Sequence, residues 1–177
     1  MTGHPFAPDP WLAAHAPLLR CLPPGPVLDL ACGNGRNALW IAGIGRNVLG
    51  LDRDLGRLGQ GAARARQLGL PARFAAWDLE AADPPPGPWA AVLLFHYLDR
   101  DRFPRLPDLL VPGGLIVAKT HLGHALRPPG SRPRRPAYLL RSGELPGLFP
   151  GTRVLTYAEW ADRRGAYAGL VARRYSS

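Results

Sequence analysis

Short apolar runs alternate along the chain with longer amphipathic stretches, and that rhythm predicts strands and helices in turn. Residues 27–30 (VLDL) are a brief apolar run broken only by Asp29, the pattern of a strand buried on both faces. Gly33 and Gly35 follow at once, and Asn37–Gly43 then reads as a helix, giving a strand, a glycine-rich turn and a helix in succession. Asn47–Asp52 predicts a second strand. Leu55–Leu68 predicts a helix weakened by Gly56, Gly59 and Gly61, with Gly69 where a C-cap belongs. Ala72–Trp77, Ala90–Phe95 and Leu115–Thr120 predict three further strands. Arg102–Leu110 predicts a short helix, and Val111–Gly114 (VPGG) a turn.

The two ends complete the pattern. Asp9 and Pro10 predict a helix start, with Asp9 as cap, Pro10 in the first turn and Pro17 kinking the middle. Trp11, Leu12, His15, Leu18 and Leu19 would share one face of it. Tyr138–Phe149 predicts a helix, and Arg153–Tyr157 and Ala166–Tyr175 two strands. Glu159–Gly165 between those strands is too short for a crossover helix, so they should form an antiparallel hairpin. The expectation is an α/β fold in one domain over residues 1–177: a mostly parallel sheet, helices on both faces and an antiparallel terminal strand. Residues 1–24 form a helical leader, and 121–136 a Pro/Arg-rich loop over the substrate side.

In open α/β sheets the ligand lies outside the carboxyl ends of the strands. The residues there are Asp29 and Gly33, then Asp52, Asp78, His96 with Tyr97, and Thr120 with His121. Asp52 can accept both hydroxyls of a ribose, and Asp78 the exocyclic amine of a purine. Singly, each aspartate reads equally as a helix cap or a solvated turn residue; acids at three successive strand ends beside the glycines do not. Residues 33–38 (GNGRNA) also fit the dinucleotide pattern G-x-G-x-x-[GA], with Asp52 near the expected acidic position. Asp29 argues against that reading, because a carboxylate there suits a cationic ligand and repels a pyrophosphate.

The chain of 177 residues carries a formal net charge of +9. Lys119 is its only lysine, and proline and glycine stand at 21 each. A coding sequence rich in G and C favours Ala, Gly, Pro and Arg together, which raises the charge without a polyanionic partner. Nucleic-acid binding stays open on charge alone, but is not favoured. No apolar run approaches the roughly 20 residues of a membrane span. Cys21 and Cys32 form no disulfide framework, no Cys/His spacing matches a zinc site, and the N-terminus lacks a secretory pattern. These features lead to the expectation of a cytoplasmic protein with neither metal nor membrane partner.

Taken together, the motifs resemble those of the class I S-adenosylmethionine-dependent methyltransferases, whose fold is Rossmann-like. Residues 27–36 (VLDLACGNGR) are similar to the family's first motif, 50–54 (GLDRD) to the second and 75–80 (AAWDLE) to the third. Residues 109–120 (LLVPGGLIVAKT) resemble its Pro-Gly-Gly turn into the fifth strand. Within the class, 33–42 (GNGRNALWIA) and 96–115 are most similar to small tellurite-resistance-type methyltransferases. Two departures stand out. Ala31 replaces a frequent glycine, and Phe95–Leu98 (FHYL) lacks the Asn/Asp-Pro-Pro-Tyr of enzymes that methylate nucleic-acid amines, which argues against adenine or cytosine N-methylation.

The resemblance implies S-adenosylmethionine as cofactor and sets Asp29, Ala31, Gly33, Gly35, Arg36, Asp52, Arg53, Asp78, Leu79 and Phe95 around it. Asp29 would face the methionine amino group, Asp52 the ribose and Asp78 the adenine amine. His96 is the candidate general base, equally readable as a hydrogen-bonded structural histidine. His121 and His124 are further candidates for that base, although both read better as loop-surface histidines, and His4 and His15 read as surface or packing histidines. Tyr97, Arg132, Arg134 and Arg135 are candidate substrate contacts; the arginines fit a small anionic acceptor, a solvated basic loop or a polyanion contact. The implied function is methyl transfer to a small molecule, such as an oxyanion or chalcogen compound like tellurite. The alternatives are RNA methylation through the basic surface and a cofactor-binding module without catalysis.

Overall fold

The computed structural model describes residues 7–123 and 135–175. The leader forms two short helices, α1 (Pro10–Ala14) and α2 (Ala16–Arg20), in place of one kinked helix. Asp9 caps α1, its carboxylate accepting from the Trp11 N–H at 2.9 Å. Pro17 has no N–H to donate, and its ring would meet the carbonyl of Ala13, so the helical ladder breaks at His15.

Strand β1 (Val27–Leu30), helix α3 (Arg36–Gly43), β2 (Val48–Asp52), α4 (Leu55–Gln67), β3 (Ala72–Ala76), β4 (Trp89–Phe95) and β5 (Leu110–His121) follow, and the chain closes with β6 (Thr152–Asp162) and β7 (Gly165–Arg174). They form one seven-stranded sheet in the order β3-β2-β1-β4-β5-β7-β6. Strands β1 to β5 pair in parallel, and β7 inserts antiparallel between β5 and β6, as the hairpin argument expects. Leu12, Leu19 and Ile41 from α1 to α3 pack on Val27, Ala91, Leu93 and Val117 of one sheet face. On the other, Leu28, Leu30, Val92 and Leu94 pack against Phe103, Leu106, Leu145 and Phe149. That second face is covered by 3-10 turns, Phe103–Leu109 and Leu145–Leu148, where α-helices were expected.

Proline and glycine explain these differences. Pro104 and Pro107 remove donors from the stretch expected as a helix over 102–110 and leave a 3-10 turn. The helix expected over Tyr138–Phe149 does not form. Leu140 pairs instead with Leu122 in an isolated bridge, Gly143 turns at φ +75, and Pro146 cannot donate. Nor is VPGG a turn ahead of the fifth strand. Strand β5 already begins at Leu110, and a register shift between the Trp89–Leu110 and Ala91–Leu115 pairs absorbs the extra residues, with Gly113 at φ +76. The final hairpin is tighter than expected, β6 running on to Asp162.

One aromatic ring fixes the turn after β1. A Cβ on Gly35, which sits at φ +75, would collide with the Phe74 ring. On Gly50 it would lie 2.8 Å from Phe74 Cδ1, and on Gly61 3.0 Å from Phe74 Cζ. Glycines on three elements therefore close around Phe74. Gly61, unfavourable for α4 by propensity, lets that helix sit against the ring.

Candidate functional site

The direction of strand progression reverses between β1 and β4, and a crevice opens at such a switch point. Strand β1 leaves it through Ala31 at φ 53 and β4 through His96 at φ 60. Among the described residues these are the two non-glycine positions with positive φ. Holding an L-residue there costs roughly 1–2 kcal/mol, and such strain gathers at functional sites. Ala31→Gly should relieve it and stabilise the ligand-free protein by about 0.5–1 kcal/mol in urea denaturation. A lower stability would mean that the Ala31 methyl packs to more effect than its backbone is strained.

Between these strand ends lies a cleft of about 610 Å³, lined by Asp29, Gly33, Arg36, Asp52, Phe95 and His96 among others. Asp29 is 1% exposed, and its Oδ2 has no hydrogen-bond partner. Burial pushes its pKa up to about 7, against the lowering effects of the Ala38 N–H and the Arg36 charge. A buried carboxylate oxygen without a donor is the complement of an ammonium group. Gly33, at φ +60, borders open space: a Cβ there would meet only Arg57 Nη1, at 3.8 Å. The amino-acid end of S-adenosylmethionine fits this donor set, with Asp29 taking the ammonium and Arg36 available to the carboxylate.

Asp52 ends β2 as expected and does more than face the cleft. Its Oδ2 accepts from the Gly33 N–H at 2.7 Å and its Oδ1 from the Asp54 N–H at 2.9 Å, leaving each oxygen a second lone pair for a ribose hydroxyl. Asp52→Ala should therefore weaken cofactor binding by roughly 1.5–3 kcal/mol and also loosen the glycine turn, at about 1 kcal/mol of fold stability. Calorimetric titration with S-adenosylhomocysteine, paired with denaturation, checks both. Unchanged affinity in a folded variant would remove Asp52 from the site.

The cleft continues, past Ala31, Asp52 and His96, into a second cavity of about 510 Å³. Its near wall holds Arg53, Asp78 and Leu79, the adenosine side of the resemblance. Leu79 is buried; Asp78 is exposed, its Oδ1 accepting from the Glu80 N–H at 2.9 Å. Arg53 lies on the surface, 3.7 Å from Glu80. Gly35 turns away from the cleft towards Phe74. The far wall holds Tyr97, His121, Arg135 and Tyr138. Tyr97 presents its ring, because its hydroxyl donates to Asp99 at 3.0 Å, and burial and then Asp99 push its pKa up to about 12. Arg132, Arg134, His4 and His124 lie outside the described residues. Arg100 was not foreseen. It donates to Glu144 and to the carbonyls of Ala137 and Leu139, at 2.9 and 2.8 Å, and so ties down the segment that carries Tyr138.

A second feature, hidden from the sequence, is a buried charge cluster behind His96. Asp9 is 2% exposed, and both its oxygens accept from Lys119 Nζ, at 2.9 and 3.1 Å. Arg36 donates to it at 3.1 Å, and His96 Nε2 lies 3.7 Å away. Burial alone would raise the Asp9 pKa; the nearby His96 ring, the hydrogen bonds from Lys119 and the Trp11 N–H, and the Lys119 charge outweigh it and hold it at about 2. Lys119 Nζ sits over the Tyr167 ring at 4.7 Å and the Trp160 ring at 5.6 Å. One signal was available: in a chain whose other basic side chains are all arginine, the single lysine stands at a strand end. Among the described residues, no group of three or more His, Cys, Asp or Glu is placed to hold a metal ion, and no helix is long and apolar enough to cross a membrane.

Residues 27–114, from β1 to the bulge in β5, match a family model described as a methyltransferase domain. Over 100 residues, 55% of the chain, the sequence is 40% identical to the ribosomal protein L11 methyltransferase of Thermus thermophilus, of which it spans 39%. The fold is similar to TehB from Haemophilus influenzae, at a TM-score of 0.76 and 20% identity, over 92% of this chain and 62% of that one. It is also similar to magnesium protoporphyrin IX methyltransferase from Synechocystis PCC 6803 with bound SAH, at 0.67 and 19%, over 93% and 78%. The [4+2]-cyclase SpnF shares the fold at 0.73 and 18%, over 94% and 80%, so the fold by itself does not fix the reaction. Residues 27–114 thus carry a methyltransferase domain, and the chain adopts the class I S-adenosylmethionine-dependent methyltransferase fold.

Proposed function

We propose that the protein transfers a methyl group from S-adenosylmethionine to a small-molecule acceptor, with oxyanion or chalcogen compounds such as tellurite as the class that suits the site. The orphaned, buried Asp29 oxygen carries the cofactor half of this reading. The acceptor half rests on the wall beyond His96, where His121, Arg135 and Tyr138 meet and Asp99 is engaged by Tyr97 and Arg102. Such a wall suits an anionic or soft acceptor better than a cationic amine.

The cofactor supplies an electrophilic sulfonium methyl. The residues around it bind and orient: Asp29 and Arg36 hold the amino-acid end, Asp52 the ribose, and Asp78 the adenine side. Holding the acceptor in line with the methyl group is worth up to roughly 7–11 kcal/mol of barrier. His96 borders both cavities and therefore lies where the two reactants would meet. Arg135, on the cavity wall, would draw an anionic acceptor in.

The test is release of S-adenosylhomocysteine from the purified protein offered tellurite, selenite and small thiols, with RNA and ribosomal protein L11 as separate arms. Turnover of a small acceptor is the expected result. Turnover confined to RNA, with salt-sensitive binding, would replace this reading by nucleic-acid methylation. The match to the L11 enzyme favours polypeptide methylation as a second reading, and turnover confined to the protein arm would establish it. Cofactor binding without turnover in any arm would leave a sensing module.

A further inference from the structure

Two imidazoles meet at the acceptor end of the cleft. His96 Nδ1 lies 3.1 Å from His121 Nε2, with the ring planes inclined by 28° and the centroids 4.9 Å apart. Such a contact needs one proton between the two nitrogens, one ring donating and the other accepting. A second proton would set two cationic rings against each other. At its other end, His96 Nε2 faces the Asp9 carboxylate at 3.7 Å, and the left-handed backbone at His96 holds the ring between the two partners.

We propose that His96 and His121 act as one proton-accepting unit at the acceptor end of the cleft, with Asp9 as the positioning residue that aligns it. The proposal rests on the methyl-transfer reading above and narrows it to acceptors that carry an ionisable X–H, such as a thiol, alongside lone-pair oxyanions that need no proton removed. In that transfer the X–C bond forms, the C–S bond breaks with its electron pair remaining on sulfur, and the X–H proton passes to the imidazole pair. The sequence ranks His96 first as base and places His121, a lesser candidate, on the loop surface. In the structure His121 is 7% exposed and its Nε2 meets His96 Nδ1, so the two rings form one contact pair.

Charged and titratable groups face the pair from every side. Asp9 of the leader faces His96, and Lys119 of β5 and Arg36 of α3 both lie on Asp9. Asp29 of β1 and Asp52 of β2 line the same cleft. Tyr167 of β7 lies with its ring centroid 5.0 Å from that of His121 and 6.2 Å from that of His96. Tyr97 and Arg135 complete the surroundings on the acceptor side.

The experiment is an NMR titration of the histidine Cε1–H signals in the full chain, with the pair assigned through His96→Gln and His121→Gln. The parent should show two midpoints more than about one pH unit apart. In either glutamine variant, the remaining ring should titrate in a single step between them. Asp9→Asn should lower the upper midpoint, and Asp9→Ser, which keeps a cap for the Trp11 N–H, replaces it if the asparagine variant does not fold. Independent titration of the two rings, each unaffected by loss of the other, would overturn the unit. An unchanged upper midpoint in the folded Asp9 variant would remove Asp9 from it. Calorimetry with S-adenosylhomocysteine on the same samples separates the two claims: a coupled pair without cofactor binding would support the unit and defeat methyl transfer, and binding with independent histidines the reverse.

Discussion

Asp29→Asn is expected to make the ligand-free protein more stable at pH 8 and to remove most of its affinity for S-adenosylmethionine. Burial holds the Asp29 pKa at about 7 in the fold, well above the ordinary carboxylate range. A group whose folded pKa is raised contributes stability below its unfolded pKa and loses it as the pH rises through the folded one. Between about pH 4 and pH 7 the native state therefore binds the extra proton, and above pH 7 the ionised, orphaned carboxylate costs roughly 2–4 kcal/mol. Asparagine keeps an acceptor for the Ala38 N–H and never ionises. Its advantage should be plain at pH 8 and nearly absent at pH 4. The cofactor ammonium, by contrast, needs the ionised form, so parent affinity should fall up to tenfold per unit as the pH drops below about 7, with one proton released on binding. Thermal melts at both pH values, with calorimetry in two buffers of different ionisation enthalpy, decide it. An asparagine variant that binds S-adenosylhomocysteine as tightly as the parent would take Asp29 out of the cofactor site.

The parallel half of the fold was legible because its signals are local. VLDL, the glycines after it and the aspartate at each strand end report the neighbourhood of a single turn, and β1, β2, β3 and β4 begin and end close to where periodicity set them. The stretch over 138–149 failed because its apolar residues suggested a helix while Gly143 and Pro146 forbade one. There a breaker should outweigh periodicity. Which glycine does what was beyond the sequence. Gly33 borders the cleft and Gly35 makes room for Phe74, a residue 39 positions later, and nothing in GNG distinguishes them. The cluster behind His96 was hidden for the same reason. Asp9 reads locally as a helix cap, which it is, and its contact with Lys119 spans 110 positions of sequence.

That contact sets the second large effect. Lys119→Met is expected to destabilise the protein by about 3 kcal/mol at pH 7, near the lower end of the usual range for removing one partner of a buried ion pair. Methionine approximates the length and volume of the lysine stem and keeps the aromatic contacts with Trp160 and Tyr167, so the loss reports charge more than cavity. Arg36, 3.1 Å from Asp9, retains part of the compensation and keeps the figure from rising further. The Asp9→Asn/Lys119→Met double variant should lose less than the sum of the single losses, by about 1–3 kcal/mol, because it leaves no buried carboxylate to be compensated. The pH dependence fixes the sign. With Lys119 present the Asp9 pKa is held at about 2, so its contribution is full above the ordinary carboxylate range and is lost only as the pH falls through 2. Without the ammonium the Asp9 pKa rises, the carboxyl can neutralise itself in mild acid, and acidification then weakens the variant less steeply than the parent. Urea denaturation of the parent, both single variants and the double at pH 7 and pH 4 measures each quantity. Strictly additive losses would show that Lys119 and Asp9 stabilise the leader independently, with the ion pair contributing nothing of its own.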